Sequence, residues 1–201
     1  MTHTIETNLK NFTEFLDKLG AGVEPAAVYA INDTAQYGRT LGSREIRRRI
    51  NFKSRYLDER LKITKRASES TLEAIITGRD RPTSLARFAQ GGVRFGRPRV
   101  APRVRVKAAG AAKPMNNTFF MRLRRGSAAV NAENSNVGLA IRLREGERVH
   151  NKQAMVPIGG NIALLYAPSV GQVYRSVSED TAEQIGDHLA ERFARQLERM
   201  L

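Results

Sequence analysis

The side chains of this sequence that could carry chemistry are three histidines, 20 aspartates and glutamates, and 34 lysines and arginines; cysteine and tryptophan are absent. Without thiols there can be no disulfide, no thiolate metal site and no cysteine nucleophile. His3, His150 and His188 stand alone, at a terminus, in an expected loop and on an expected helix. A metal or acid–base site needs partners at ligand spacing, so each is read as a solvated histidine. Glu183 and Asp187 lie four apart on one helix face, but they fall in the acidic opening turns of that helix, where negative charge suits the macrodipole. No phosphate-binding glycine loop, dinucleotide fingerprint, nucleophile elbow or zinc-protease helix motif occurs. The sequence therefore predicts no enzyme activity, no catalytic residue, no cofactor and no bound metal.

Charge carries more information. The formal net charge is +14, and much of it lies in one stretch: no carboxylate occurs between Asp80 and Glu133, while Arg94, Arg97, Arg99, Arg103, Arg105 and Lys107 all do. These six are the candidates for a subunit interface or a DNA-facing surface. Net charge reports on association and not on fold, so an acidic neighbour and a nucleic-acid backbone both fit. Phe95 is the only aromatic from Gly91 to Thr118, which is poor equipment for stacking on bases and favours docking against protein. A second basic region, Arg44 to Lys62, reads as helix, turn and helix. Its turn Asn51-Phe-Lys-Ser lacks glycine, and Asp58 and Glu59 sit where phosphate would need cations. A cytoplasmic nucleic-acid-binding protein using this segment is the alternative reading.

The elements that must position these residues follow from periodicity. Leu9, Phe12, Phe15, Leu16 and Leu19 predict a helix from Asn8 to Leu19. Pro25 to about Thr40 predicts a second, whose alanine-rich face invites close approach by another helix. Ser43 is expected to cap a short helix, Arg44 to Ile50, and Ser54 another. Leu61 and Ile63, then Leu72, Ala74 and Ile76, alternate as a hairpin joined through Ser68-Glu-Ser. Phe119, Met121 and Leu123 share one face of a strand; Val137, Leu139, Ile141 and Leu143 share one face of the next, and Ile162 to Tyr166 is a third. Ser178 is expected to cap a long terminal helix with Ile185, Leu189, Phe193, Leu197 and Leu201 at steps of four.

The expected fold is α+β: N-terminal helices, a central antiparallel sheet with a long basic arm or loop, and a long C-terminal helix. Residues 1–201 are read as a single domain, with the Gly-, Pro- and Arg-rich arm at about 89–118. Such a segment buries too little apolar area to order by itself and is expected to take shape on a partner. The N-terminus lacks the features of a signal peptide, and no run approaches the roughly 18 apolar residues of a membrane span. Assembly in a cytoplasm-like compartment, away from membranes, is expected.

In order and character these segments resemble the minor tail protein Z family of long-tailed bacteriophages, also described as tail completion proteins. Ala26-Ala-Val-Tyr-Ala-Ile-Asn-Asp-Thr-Ala looks like the family's alanine-rich helix, with its core at Ala30, Ile31 and Asn32. Pro157 with Ile158, and Pro168, Ser169 and Val170, look like the last strands and the turn before the final helix. The resemblance implies a structural virion protein of the tail or neck that completes the head-proximal tail end and takes part in head–tail joining. It implies a homo-oligomer, a hexameric ring, between the connector or stopper and the tail terminator or tube, assembled in the host cytoplasm. A ring so placed could also make non-specific contact with genome DNA.

Overall fold

The computed structural model of the protein describes residues 23–95, 101–123, 136–147, 149 and 151–200. The helix expected from Asn8 to Leu19 lies outside them.

Helix α1 spans Glu24–Arg49. Pro25 occupies its first turn, where a missing N–H does no harm, and Glu24 meets the positive end of the helix dipole. The sequence predicts a break near Gly42 and a fresh cap at Ser43, and the helix runs straight through both. Leu41 and Ile46 are 3% and 0% exposed, so burial on either side of Gly42 offsets the roughly 1 kcal/mol that glycine costs a helix interior. Helix α2, Ser54–Arg60, starts at Ser54, with Lys53 in the capping position; the expected Ser54 cap is displaced by one residue. Helix α3 spans Val170–Met200 as one element. Ser178, expected to open it, lies well inside and is buried, its hydroxyl donating to the Arg175 carbonyl at 2.8 Å. A serine bonded back in this way has no call to cap, and the fully buried Val170 and Val177 hold the preceding turns in the helix.

The strands are β1 Leu61–Lys65, β2 Ile75–Gly78, β3 Thr83–Ser84, β4 Ala89–Gln90, β5 Arg103–Val104, β6 Lys113–Pro114, β7 Thr118–Leu123, β8 Asn136–Arg142, β9 Met155–Gly159 and β10 Ile162–Ala167. Pairing is antiparallel throughout the named strands. Helices at both ends of the described chain with antiparallel sheets between them make this an α+β protein, as the sequence predicts.

The chain divides into two units. Unit 1 comprises Met1–Ile46, Lys53–Asp80 and Val170–Leu201. In it α1 and α3 pack in opposite directions. Ala26, Ala27 and Ala30 pack with Phe193, and Leu189 and Leu197 border the cluster; further along, a side chain at Gly38 would meet Ile185, and one at Gly42 would meet Tyr174. The small residues do what the sequence suggested, letting the helix backbones approach. The hairpin β1–β2 pairs Leu61 with Gly78 and Ile63 with Ile76, and its turn closes by two bonds between Ser68 and Thr71, both 2.9 Å. Leu72 and Ala74, expected in the second strand, precede it.

Unit 2 comprises Arg47–Phe52 and Arg81–Ser169. Its main sheet runs β3-β10-β8-β7, and β9 also pairs with β10. Alternation put Phe119, Met121 and Leu123 together, but deeper burial falls on the other face of β7, at Thr118 and Phe120. The register explains this: Phe120 lies opposite the fully buried Leu139 of β8, so the pair shares one interior. Ser84 fixes the sheet's other side by donating to the Val137 carbonyl at 2.9 Å. The described part of the expected arm forms a small sheet, β4-β5-β6, with Val104 buried between the exposed Arg103 and the half-buried Arg105.

Candidate functional site

Along residues 103–107, Val104 of β5 is buried, Arg103 and Lys107 are exposed, and Arg105 is half-buried. The segment is anchored by residues more than fifty positions earlier. Asn51 N–H donates to the Val106 carbonyl at 2.7 Å, Ala108 N–H donates to the Arg49 carbonyl at 3.0 Å, and Ile50 bridges Lys107. The Asn51 amide also donates to the Arg105 carbonyl at 3.1 Å, while its oxygen accepts from the Arg105 guanidinium at 3.5 Å. This pairing brings the exposed Arg47, Arg48 and Arg49 beside the 103–107 row. Part of the second basic region, Arg47 to Phe52, thus joins the first in unit 2, while the rest of it belongs to unit 1.

Of the six basic candidates, Arg94, Arg103 and Lys107 are exposed and Arg105 is half-buried. Arg103 donates to the Ala112 carbonyl at 3.1 Å, and Arg105 Nε is buried without a hydrogen-bond partner. Arg97 and Arg99 lie outside the described residues. The division of charge is sharper than any single residue suggests. Unit 2 holds 19 of the 34 lysines and arginines but only three of the 20 aspartates and glutamates, a net +16, which leaves unit 1 at −2. Three carboxylates cannot neutralise nineteen cations. Unit 1, by contrast, pairs its charges internally: Arg39 with Asp58, Arg55 with Glu59, Lys65 with Glu73, Arg192 with Asp33, and Arg195 with Glu191.

The family-like residues play mixed parts. Ala30 and Ile31 are buried in α1. Asn32 clamps the hairpin, donating to the Ala67 carbonyl at 3.0 Å and accepting from Ala67 N–H at 2.9 Å. Pro157 and Ile158 are exposed on β9, Pro168 is exposed, and Ser169 and Val170 are fully buried where β10 gives way to α3.

No group of three or more His, Asp or Glu able to hold a metal occurs among the described residues. Glu183 and Asp187 are both exposed. His188, however, is not the solvated histidine the sequence suggested. Its ring stacks on Tyr37 with centroids 4.1 Å apart and planes 1° from parallel, and its Nδ1 lies 3.2 Å from Thr34 Oγ1. Arg192 Nε sits 2.9 Å from Asp33 and 3.5 Å from His188 Nε2. Burial, and then the Arg192 charge, push the imidazole below its ordinary pKa. Tyr174, which sequence reasoning did not single out beyond its place in the helix, is 5% exposed, and burial raises its phenol well above the usual range. His3 and His150 lie outside the described residues. No helix among the described residues is long and apolar enough to cross a membrane.

Comparison with known proteins gives one match: the family model of prophage minor tail protein Z (GPZ) matches residues 7–201. The chain belongs to that family. It is a structural protein of a phage tail, a component of the virion that works among other tail proteins. No curated protein and no solved structure gives a match.

Proposed function

We propose that this chain completes the head-proximal end of the phage tail and takes part in head–tail joining, as a hexameric ring between the connector or stopper and the tail terminator or tube. The observation that carries the reading is the match to prophage minor tail protein Z over nearly the whole chain. The physical character of the molecule supports it: the excess of cations is segregated into one unit, and a unit at +16 calls for neighbours of opposite sign. In this reading residues 1–201 work as a single tail-completion domain, and the segment at about 89–118 meets a neighbour in the assembled tail. The alternative, a duplex-reading helix pair, finds less support. A recognition helix needs cations towards phosphate, whereas the seven-residue α2 exposes Asp58 and Glu59 and holds Arg55 3.5 Å from Glu59.

Electron microscopy of lysates from a prophage deleted for this chain tests the proposal. Complete heads and separate tails with an unfinished head-proximal end should accumulate, and purified protein added to the lysate should restore joining. Normal joining without the protein would refute it, and so would a purified protein that stays monomeric and never associates with tails.

A further inference from the structure

Most of the large apolar side chains left exposed lie in unit 2, the unit that carries the excess of cations. Among the described residues, the large hydrophobic side chains left exposed are Tyr29 in unit 1 and Val93, Phe95, Val156 and Ile158 in unit 2, at 41%, 45%, 38% and 45% exposure for the last four. Two of them, Val93 and Phe95, follow β4, which pairs with the Arg103–Val104 strand. Gly91 and Gly92, with φ of 80° and 81°, lead the chain out of β4 through a conformation that side chains rarely adopt. Val93, Arg94 and Phe95 follow, all exposed. Phe95 bridges to Phe120 of β7, and the guanidinium of the exposed Arg122 lies 4.7 Å from the Phe95 ring centroid. Gln90 pairs opposite Arg103; Val93 is then within about 11 Å of chain from Gln90, and Lys107 within about 14 Å from Arg103. One protein footprint of about 800 Å² spans the whole set.

We propose that Val93, Arg94, Phe95, Arg103, Lys107 and Arg122 form a docking surface for a different virion protein, one that presents carboxylates around an apolar centre. The inference deepens the assembly reading above and rests on it. Two observations select this partner. Duplex DNA would satisfy the cations through its phosphates but gains nothing from covering Val93 and Phe95, whereas a protein face removes both from water. A guanidinium stacked on a ring keeps its N–H edge free to point outward, a geometry that suits a carboxylate. A second copy of this chain is a poor occupant: its unit 1 is only −2, with many of its carboxylates already in ion pairs, and its unit 2 is +16.

The test uses tails purified from a prophage deleted for this chain, the full-length protein, and co-sedimentation to measure binding. R94E/R103E/K107E and V93S/F95S should each weaken binding to these tails about tenfold or more, and R94K/R103K/K107R should bind like wild type. Circular dichroism melts like the wild type's would show the variants folded; should V93S/F95S melt early, V93S alone carries the apolar arm. Added salt should weaken wild-type binding and leave the binding that remains in the charge-reversed variant nearly unchanged. If wild type binds tails and neither variant binds less, this surface is not the dock, and the ring reading stands without it. If V93S/F95S binds tails normally while charge reversal abolishes binding to a short duplex DNA, the partner is nucleic acid and the inference is overturned. A fall in oligomer size by light scattering in both variants would make the partner a second copy, which also overturns it. Failure of the wild-type protein to bind the tails at all would remove the assembly reading and this inference together.

Discussion

Replacing Gly78 with alanine should destabilise the protein, although the same change elsewhere in the chain should stabilise it. Gly78 ends β2, and a Cβ built there would lie 2.8 Å from Gly171 Cα and 3.0 Å from Gly171 N, both backbone atoms of the first turn of α3. Carbon atoms pack at about 3.5–4.0 Å, so the two backbones must separate by roughly 1 Å. Neither can rotate aside, and the Gly171 N–H bond to the Arg79 carbonyl, 2.9 Å long, sits in the same contact. Overpacking costs about 1–3 kcal/mol, and loss of that hydrogen bond adds about 1 kcal/mol. Against this, alanine restricts the unfolded chain and returns about 0.4–1 kcal/mol. The net loss is about 2 kcal/mol, or about 4–8 °C in Tm for a chain of this size. Gly186 is the control. It lies inside α3 with nothing within 4 Å of its would-be Cβ, so Gly186→Ala should gain up to about 1 kcal/mol from helix propensity alone. Urea unfolding followed by circular dichroism reads both variants. A Gly78→Ala midpoint equal to or above that of wild type would show that the β2–α3 contact is loose and the reasoning wrong.

Further outcomes follow from the same structure. Asn32→Ala removes both bonds to Ala67 and should lower stability by about 1–3 kcal/mol in urea titrations, with Asn32→Asp intermediate because it keeps the acceptor. Phe120→Ala should lower it by about 3–5 kcal/mol, since Phe120 is 5% exposed against Leu139; a small change would mean the β7–β8 interior collapses readily. His188 has a folded pKa below 6.5, chiefly through burial and then Arg192, with Asp33 and Glu191 opposing and Arg195 adding to the depression. Between that lowered value and 6.5 the unfolded chain binds more protons, so stability is full above 6.5 and declines as pH falls through the folded value. NMR titration of His188 should give a midpoint below that of free imidazole, and His188→Gln should flatten the acid side of the Tm profile; an ordinary midpoint would count against the Tyr37 stack.

Local patterns in the sequence were enough to identify α1, α3, the β1–β2 hairpin, the β7–β8 pair and β10, because each rests on apolar periodicity that holds wherever the segment is packed. The absence of thiols equally excluded disulfides and thiolate metal sites, since no fold can supply missing side chains. Breaks in helices were not legible. Gly42 and Ser178 look like boundaries in isolation, and only Leu41, Ile46, Val170 and Val177, buried on either side, keep those turns helical. The same holds for His188, whose stacking on Tyr37 joins residues about 150 positions apart.

Composition alone determined that this chain is basic and thiol-free, apolar periodicity predicted its mixed α+β character, and its segment order resembled a family that it proved to belong to. Only the tertiary structure decided where the charge resides. Residues 49–51 pair with 105–108, which gathers arginines from two distant stretches into one unit at +16 and leaves the other near neutrality. The physical reason is that side-chain type and period are local properties of a chain, whereas the sharing of a surface depends on which distant backbone groups bond to one another.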